Sequence, residues 1–175
     1  MERFGIGQEI KQVRVTIRPG RIGDQPTIAK IARSVCSALE SHCTDPVAFS
    51  SWVGNLSSYQ FLHEAYVAET EIGPVAVVHF ILSWNDKPDC FDLSVPLIRY
   101  LFVPPGLDTH EFTRRLLEVC IWRARRDGNS SVAIHATPIM SAELELITKM
   151  GFEFVRAAPA IHGIPFNIYS KKLSY

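Results

Sequence analysis

Neither sign of charge is in excess in this 175-residue chain: lysine plus arginine and aspartate plus glutamate each total 18. Nucleic acid and anionic membrane are therefore not expected as main partners, because both select a basic surface. Long apolar runs are missing too; none approaches the roughly 20 residues of a membrane span. The opening MERFGIGQEIKQ lacks the apolar centre of a signal peptide. Cysteine is scarce, and Cys36, Cys43, Cys90 and Cys120 form no C-x-x-C pair. They read as reduced, mostly buried thiols of a cytoplasmic protein. Cys36, His42 and Cys43 fit no common zinc spacing, so no metal is expected. G-x-S-x-G, P-loop and His-Glu-x-x-His motifs are absent, as are repeats and low-complexity tracts. Glycine is missing at a telling place: VPPGLDTHEFTRRLL, Val103 to Leu117, has none after Gly106.

What is present suits one compact domain over residues 1–175, with 1–11 read as a disordered arm. The apolar fraction is 47% and the mean hydropathy +0.08. QVRVTIRP (Gln12 to Pro19) alternates like a strand and stops at Pro-Gly. Asp24 suits the N-cap of a helix carrying Ile28, Ile31, Ala32, Val35 and Leu39 to about Ser41. A shorter helix covers Val47 to Leu56. EAYVAETEIGPVAVVHFILSW reads as a β-hairpin turning at Glu71 to Pro74. A strand is expected from Leu97 to Val103, with Pro96 marking a bulge or an end. The helix expected from Thr109 to Asp127 has a core stripe of Phe112, Leu116, Val119, Cys120 and Ala124, widened by Leu117 and Ile121. Strand SVAIHA, helix Ser141 to Met150 and strands FEFVRA and PFNIYSKKL complete the chain. A strand–helix–strand unit implies a parallel pair and the hairpins imply antiparallel ones. The fold class is therefore α/β (α+β), with a mixed, mostly antiparallel central sheet flanked by helices. The aromatics Phe80, Trp84, Tyr100 and Phe102 are expected to fill the core. Arg123, Arg125 and Arg126 read as a solvated helix end, where cations suit the dipole.

This order resembles the GNAT (Gcn5-related N-acetyltransferase) superfamily over nearly the whole chain. IRPGRIGDQPTIAKIA is similar to the family's opening strand–turn–helix. VPPGLDTHEFTRRLLEVCIWRARRDG is similar to its central V-x-P-x-x-R-G-x-G-x-G-x-x-L-L segment, with Val103, Pro105, Leu116 and Leu117 in register. VAIHATPIMSAELELITKMGFEFV is similar to the next segment, with Pro138, Lys149, Gly151 and Phe152 matching. The resemblance implies transfer of an acyl group from acetyl-CoA, or another acyl-CoA, to a small-molecule or peptide amine. It implies cofactor contacts at Leu101, Phe102 and Val103, whose strand backbone pairs with the pantetheine arm. It also implies contacts at the helix start Thr109, His110, Glu111, Phe112, Thr113 and Arg114. The family's R-G-x-G-x-G positions are Asp108 to Thr113 here, without the arginine or any glycine. Its tyrosine, a general acid toward the departing thiolate, falls on Ile147, and its asparagine on Met140. A homodimer stays open as the assembly.

Helix N-termini attract anions through free N–H groups and the dipole. Asp108-Thr-His-Glu111 instead has capping-box spacing, which would supply the helix with its own anions. Arg114 and Arg115 would offset that charge or form a solvated face. The candidate proton-handling groups are His135 on SVAIHA, His162 in APAIHGIPF, and Tyr100 on the central strand. His135 and His79 also read as buried core residues, and Cys120 as helix core. Two functions follow: an acyl-CoA-dependent N-acyltransferase, or a non-catalytic module whose self-capped cofactor site serves binding or protein interaction.

Overall fold

The computed structural model describes residues 14–58 and 64–174. The expected arm at 1–11, and Gln12 and Val13 of the first strand, lie outside them. The chain runs β1 (Thr16–Pro19), α1 (Gln25–Cys36), α2 (Pro46–Asn55), β2 (Ala65–Thr70), β3 (Gly73–Ile81) and β4 (Leu97–Phe102). It continues with α3 (Thr109–Arg126), β5 (Ser131–Ala136), α4 (Ser141–Lys149), β6 (Glu153–Ile161) and β7 (Ile164–Lys172). Among the described residues the strands form one seven-stranded sheet, ordered β1-β2-β3-β4-β5-β7-β6. All neighbours are antiparallel except β4 and β5. The exception follows from α3, whose 18 residues carry the chain back so that β5 can start beside the start of β4.

Helices cover both faces. Ile98, Leu101 and Val103 meet Leu116, Leu117, Cys120 and Ala124 of α3 and Ile147 of α4. On the other face Val67, Val77 and Phe102 meet Ile28, Ala32 and Val35 of α1 and Phe49 and Val53 of α2. The expected α3 stripe changes at one position. Val119 is half-buried, while Thr113 is almost wholly buried. Trp84 departs further from expectation: it is 76% exposed, at φ 66° in the β3–β4 loop. That loop is tied from within by Lys87, whose Nζ donates to Leu82 O (2.8 Å) and Leu93 O (3.2 Å).

Asp24 precedes α1 as expected, yet its side chain does not cap that helix. A short 3₁₀ turn, Ile22–Asp24, leads into the helix, and the carboxylate accepts from Arg18 (2.7 and 2.8 Å) and Arg21 N (2.8 Å). Arg18 also holds Glu69 of β2 at 2.9 and 2.7 Å, so one guanidinium ties β1, β2 and α1 together. Helix α1 itself stops at Cys36 and tightens into a 3₁₀ segment, Ser37–His42. Asp24→Ala strands a largely buried cation beside a single remaining acid. We expect it to cost about 3 kcal/mol, a drop of about 6–12 °C in a melting scan at neutral pH. Arg18, foremost among the causes, holds the Asp24 carboxyl below its usual range. Its contribution is therefore complete above the unfolded carboxylate value near 4 and fades as pH falls through the folded value. The gap between mutant and parent melting temperatures should narrow in that acid range.

Candidate active site

β4 and β5 share a ladder only at their starts, Leu97↔Ala133 and Ile98↔Ile134. Beyond these pairs each follows its antiparallel neighbour, β4 with β3 to Phe102 and β5 with β7 to Ala136↔Asn167. The sheet therefore opens into a wedge at the C-terminal ends of its two parallel strands, where open α/β sheets hold ligands. A bulge sharpens it: Tyr100 and Leu101 together oppose Val78, and Tyr100 takes φ 53°. The backbone from Arg99 to Phe102 consequently has no ladder on its β5 side.

A cavity of about 30 Å³, room for a water or two, lies in the wedge. Tyr100, Phe102, His135, Met140, Glu143 and Trp52 are among its walls. Cys36 also reaches it, but burial pushes that thiol up to about 12, which leaves no thiolate at neutral pH. Glu143 differs from all of these. It stands in the first turn of α4 with no hydrogen bond or ion pair to any described residue, and burial pushes its carboxyl up to about 8. Sequence reasoning passed over Glu143. An acid in a helix's first turn is ordinary dipole compensation, and only the position of the wedge gives it another meaning.

The three expected proton-handling residues lie around this wedge with different surroundings. His135 is buried, its ring stacked on Phe166 at 4.5 Å and edge-on to Phe91 at 5.1 Å. Burial first, and the charge of Arg99 second, push it down to about 3, so it is neutral at physiological pH. His79, opposite Arg99 in the ladder, is held at about 3 by the same two causes. Tyr100 is half-buried, and burial raises its phenol above the usual value. His162 is half-buried in the β6–β7 turn, its ring 6.4 Å from Trp52. His162 (φ 49°) and Gly163 (φ 85°) form the two-residue turn with φ positive at both positions that suits a hairpin. A side chain at 163 would collide with Thr44 at 2.4 Å.

The expected anion locus at the start of α3 is occupied by its own chain. Asp108 is the N-cap and accepts from Glu111 N at 3.0 Å, while Phe112 N donates to Asp108 O at 3.0 Å. Glu111 does not reach back to complete the box. It pairs instead with Arg114 at 2.7 Å, and Arg114 also holds Glu118 at 2.6 Å. Thr109 and His110 are exposed, whereas Phe112 and Thr113 point into the core. Leu101, Phe102 and Val103 are buried by side chain. Among the described residues no three metal-ligating side chains come together, and no helix is long and apolar enough to cross a membrane.

No protein-family model matches this sequence, and no curated protein does. Solved structures do match. The PaiA N-acetyltransferase of Thermoplasma acidophilum, in complex with coenzyme A, superposes with TM-score 0.69 at 16% identity, covering 91% of this chain and 99% of that one. YncA of Salmonella typhimurium, with acetyl-CoA, gives 0.63 at 18% identity, covering 91% and 94%. A GNAT-family acetyltransferase of Staphylococcus aureus gives 0.70 at 12% identity, covering 92% and 100%. At these identities the likeness speaks for the backbone alone, and the backbone of this chain has the GNAT fold.

Proposed function

We propose that the chain is an acyl-CoA-dependent N-acyltransferase that works in the wedge between β4 and β5. The observation that carries this reading is the early end of the β4–β5 ladder, which leaves the backbone of Arg99 to Phe102 open to an extended ligand arm. Such an arm gains main-chain hydrogen bonds there as an added strand would. Leu101, Phe102 and Val103 would hold the pantetheine portion. Thr109, His110, Glu111, Phe112, Thr113 and Arg114 line the place for the diphosphate, a poorer fit. Asp108 already takes the Glu111 amide, and Arg114 is spent on two acids. Acyl-CoA supplies a thioester carbonyl open to an amine. The protein supplies the walls that orient an amine against it and a proton donor in the right place. Glu143 lies one turn before Ile147 on the same face of α4 and holds its proton at neutral pH. It can give that proton to a departing thiolate, and the proton that the amine sheds on becoming an amide would return to the carboxylate through water. His135, neutral and weakly basic, forms a wall, and Tyr100 orients the acceptor.

A second reading, a non-catalytic binding module, draws support from the capped start of α3 alone. Ligand stabilisation separates the two. Acetyl-CoA at 100 times its dissociation constant adds about 2.7 kcal/mol, or about 5–10 °C for a chain of this size. A melting scan with millimolar acetyl-CoA, CoA and longer acyl-CoAs should show a rise of that order for at least one of them. No shift with any leaves the module.

A further inference from the structure

Arg99 is 8% exposed at the centre of the sheet, and no described carboxylate pairs with it. Its Nε is buried without a hydrogen-bond partner. Its guanidinium lies over the ring of Tyr100 at 4.1 Å and that of Phe91 at 5.3 Å. Two of its described neighbours, His79 and His135, flank it as neutral imidazoles. The guanidinium itself cannot lose its charge. Buried charges are normally paired, since an isolated one forfeits its hydration. Aromatic faces and a side-chain hydrogen bond with Tyr100 compensate only in part: they supply no negative charge, and Nε keeps its donor unspent. Tyr100 links this cation to the wedge, because the same ring forms a wall of the cavity that Glu143 faces.

We propose that Arg99 is the receptor for an anionic group, carboxylate or phosphonate, on the amine that accepts the acyl group, so that the acceptor class is small amino acids and their phosphonate analogues. This rests on the acyltransferase reading above. The anion docks on the fork of Arg99 behind Tyr100, and the amine projects into the wedge.

Two measurements on the full chain test it. The first needs no acceptor. An ion held in reserve for a ligand is a liability to the free protein, so Arg99→Met should raise its melting temperature by several degrees. A fall would mean that Arg99 is a structural pin of Tyr100 and Phe91, and the proposal would be lost. The second follows thiol release from acetyl-CoA with glycine, L-glutamate and aminomethylphosphonate, each against an uncharged partner such as glycinamide. At least one anionic amine should be turned over ten times faster than its neutral counterpart, and which of the anions leads tells carboxylate from phosphonate. Arg99→Met should abolish that preference while leaving the acetyl-CoA melting shift in place. Equal rates for charged and neutral amines, with the acetyl-CoA shift present, overturn the acceptor assignment alone. Absence of the shift overturns the acyltransferase reading and the assignment with it.

Discussion

Glu143→Gln should slow acyl transfer by 10²- to 10⁴-fold, the usual contribution of a positioned general acid. Glutamine keeps the size of the side chain and removes only the exchangeable carboxyl proton, so binding of acyl-CoA should persist. The pH profile is the sharper test. A donor with its proton held to about 8 gives a rate that falls as pH rises through that value, and the falling limb should vanish in the mutant. Stability supplies an independent check on the same group. Its folded pKa lies above its unfolded one, so ionisation is resisted only in the folded state, and stability drops between about 4.5 and 8. Glu143→Gln should therefore melt above the parent at pH 8 to 9 and show no such gain near pH 4. A mutant with parental rate across the pH range would remove Glu143 from the mechanism.

Asp108→Arg should tighten acyl-CoA binding by about 30-fold. A carboxylate about 5 Å from a phosphate is repelled by roughly 1 kcal/mol in water. Asp108 is solvent-exposed, so the water value applies, and reversing the charge doubles it to about 2 kcal/mol. Asp108→Asn separates charge from capping. Asparagine still accepts from the Glu111 amide as a good N-cap, and should give about 5-fold. The arginine variant also loses the cap, about 1 kcal/mol of stability, so its own melting point should fall slightly while its response to ligand grows. Titration calorimetry with CoA reads both. Weaker binding by either variant would make Asp108 a ligand rather than an obstacle.

Much of the fold was legible because it is written in local terms. The period of Leu116, Cys120 and Ala124, the Pro19–Gly20 stop and the hairpin turn at Glu71 to Pro74 each act within a few residues. Only the element ends drifted, as at Cys36, where the helix tightens instead of continuing. The site was legible in part. The capped start of α3 was visible from Asp108, since capping is a three-residue matter, although the second half of the box went to Arg114. His135 looked like a base from its residue type. Its burial, to which Phe166 of the neighbouring strand contributes, and then the charge of Arg99 are what lower its proton affinity.

The sequence alone therefore determined the order of elements, the parallel return through α3 and the acidic cap at its start, all of which are short-range facts of pattern and turn chemistry. The tertiary structure decided where β4 and β5 part, which acid faces the gap, and which arginine is buried with no carboxylate paired to it among the described residues. Proton affinity and the cost of a charge depend on what surrounds a group in space, and that surrounding comes from strands and helices distant in the chain.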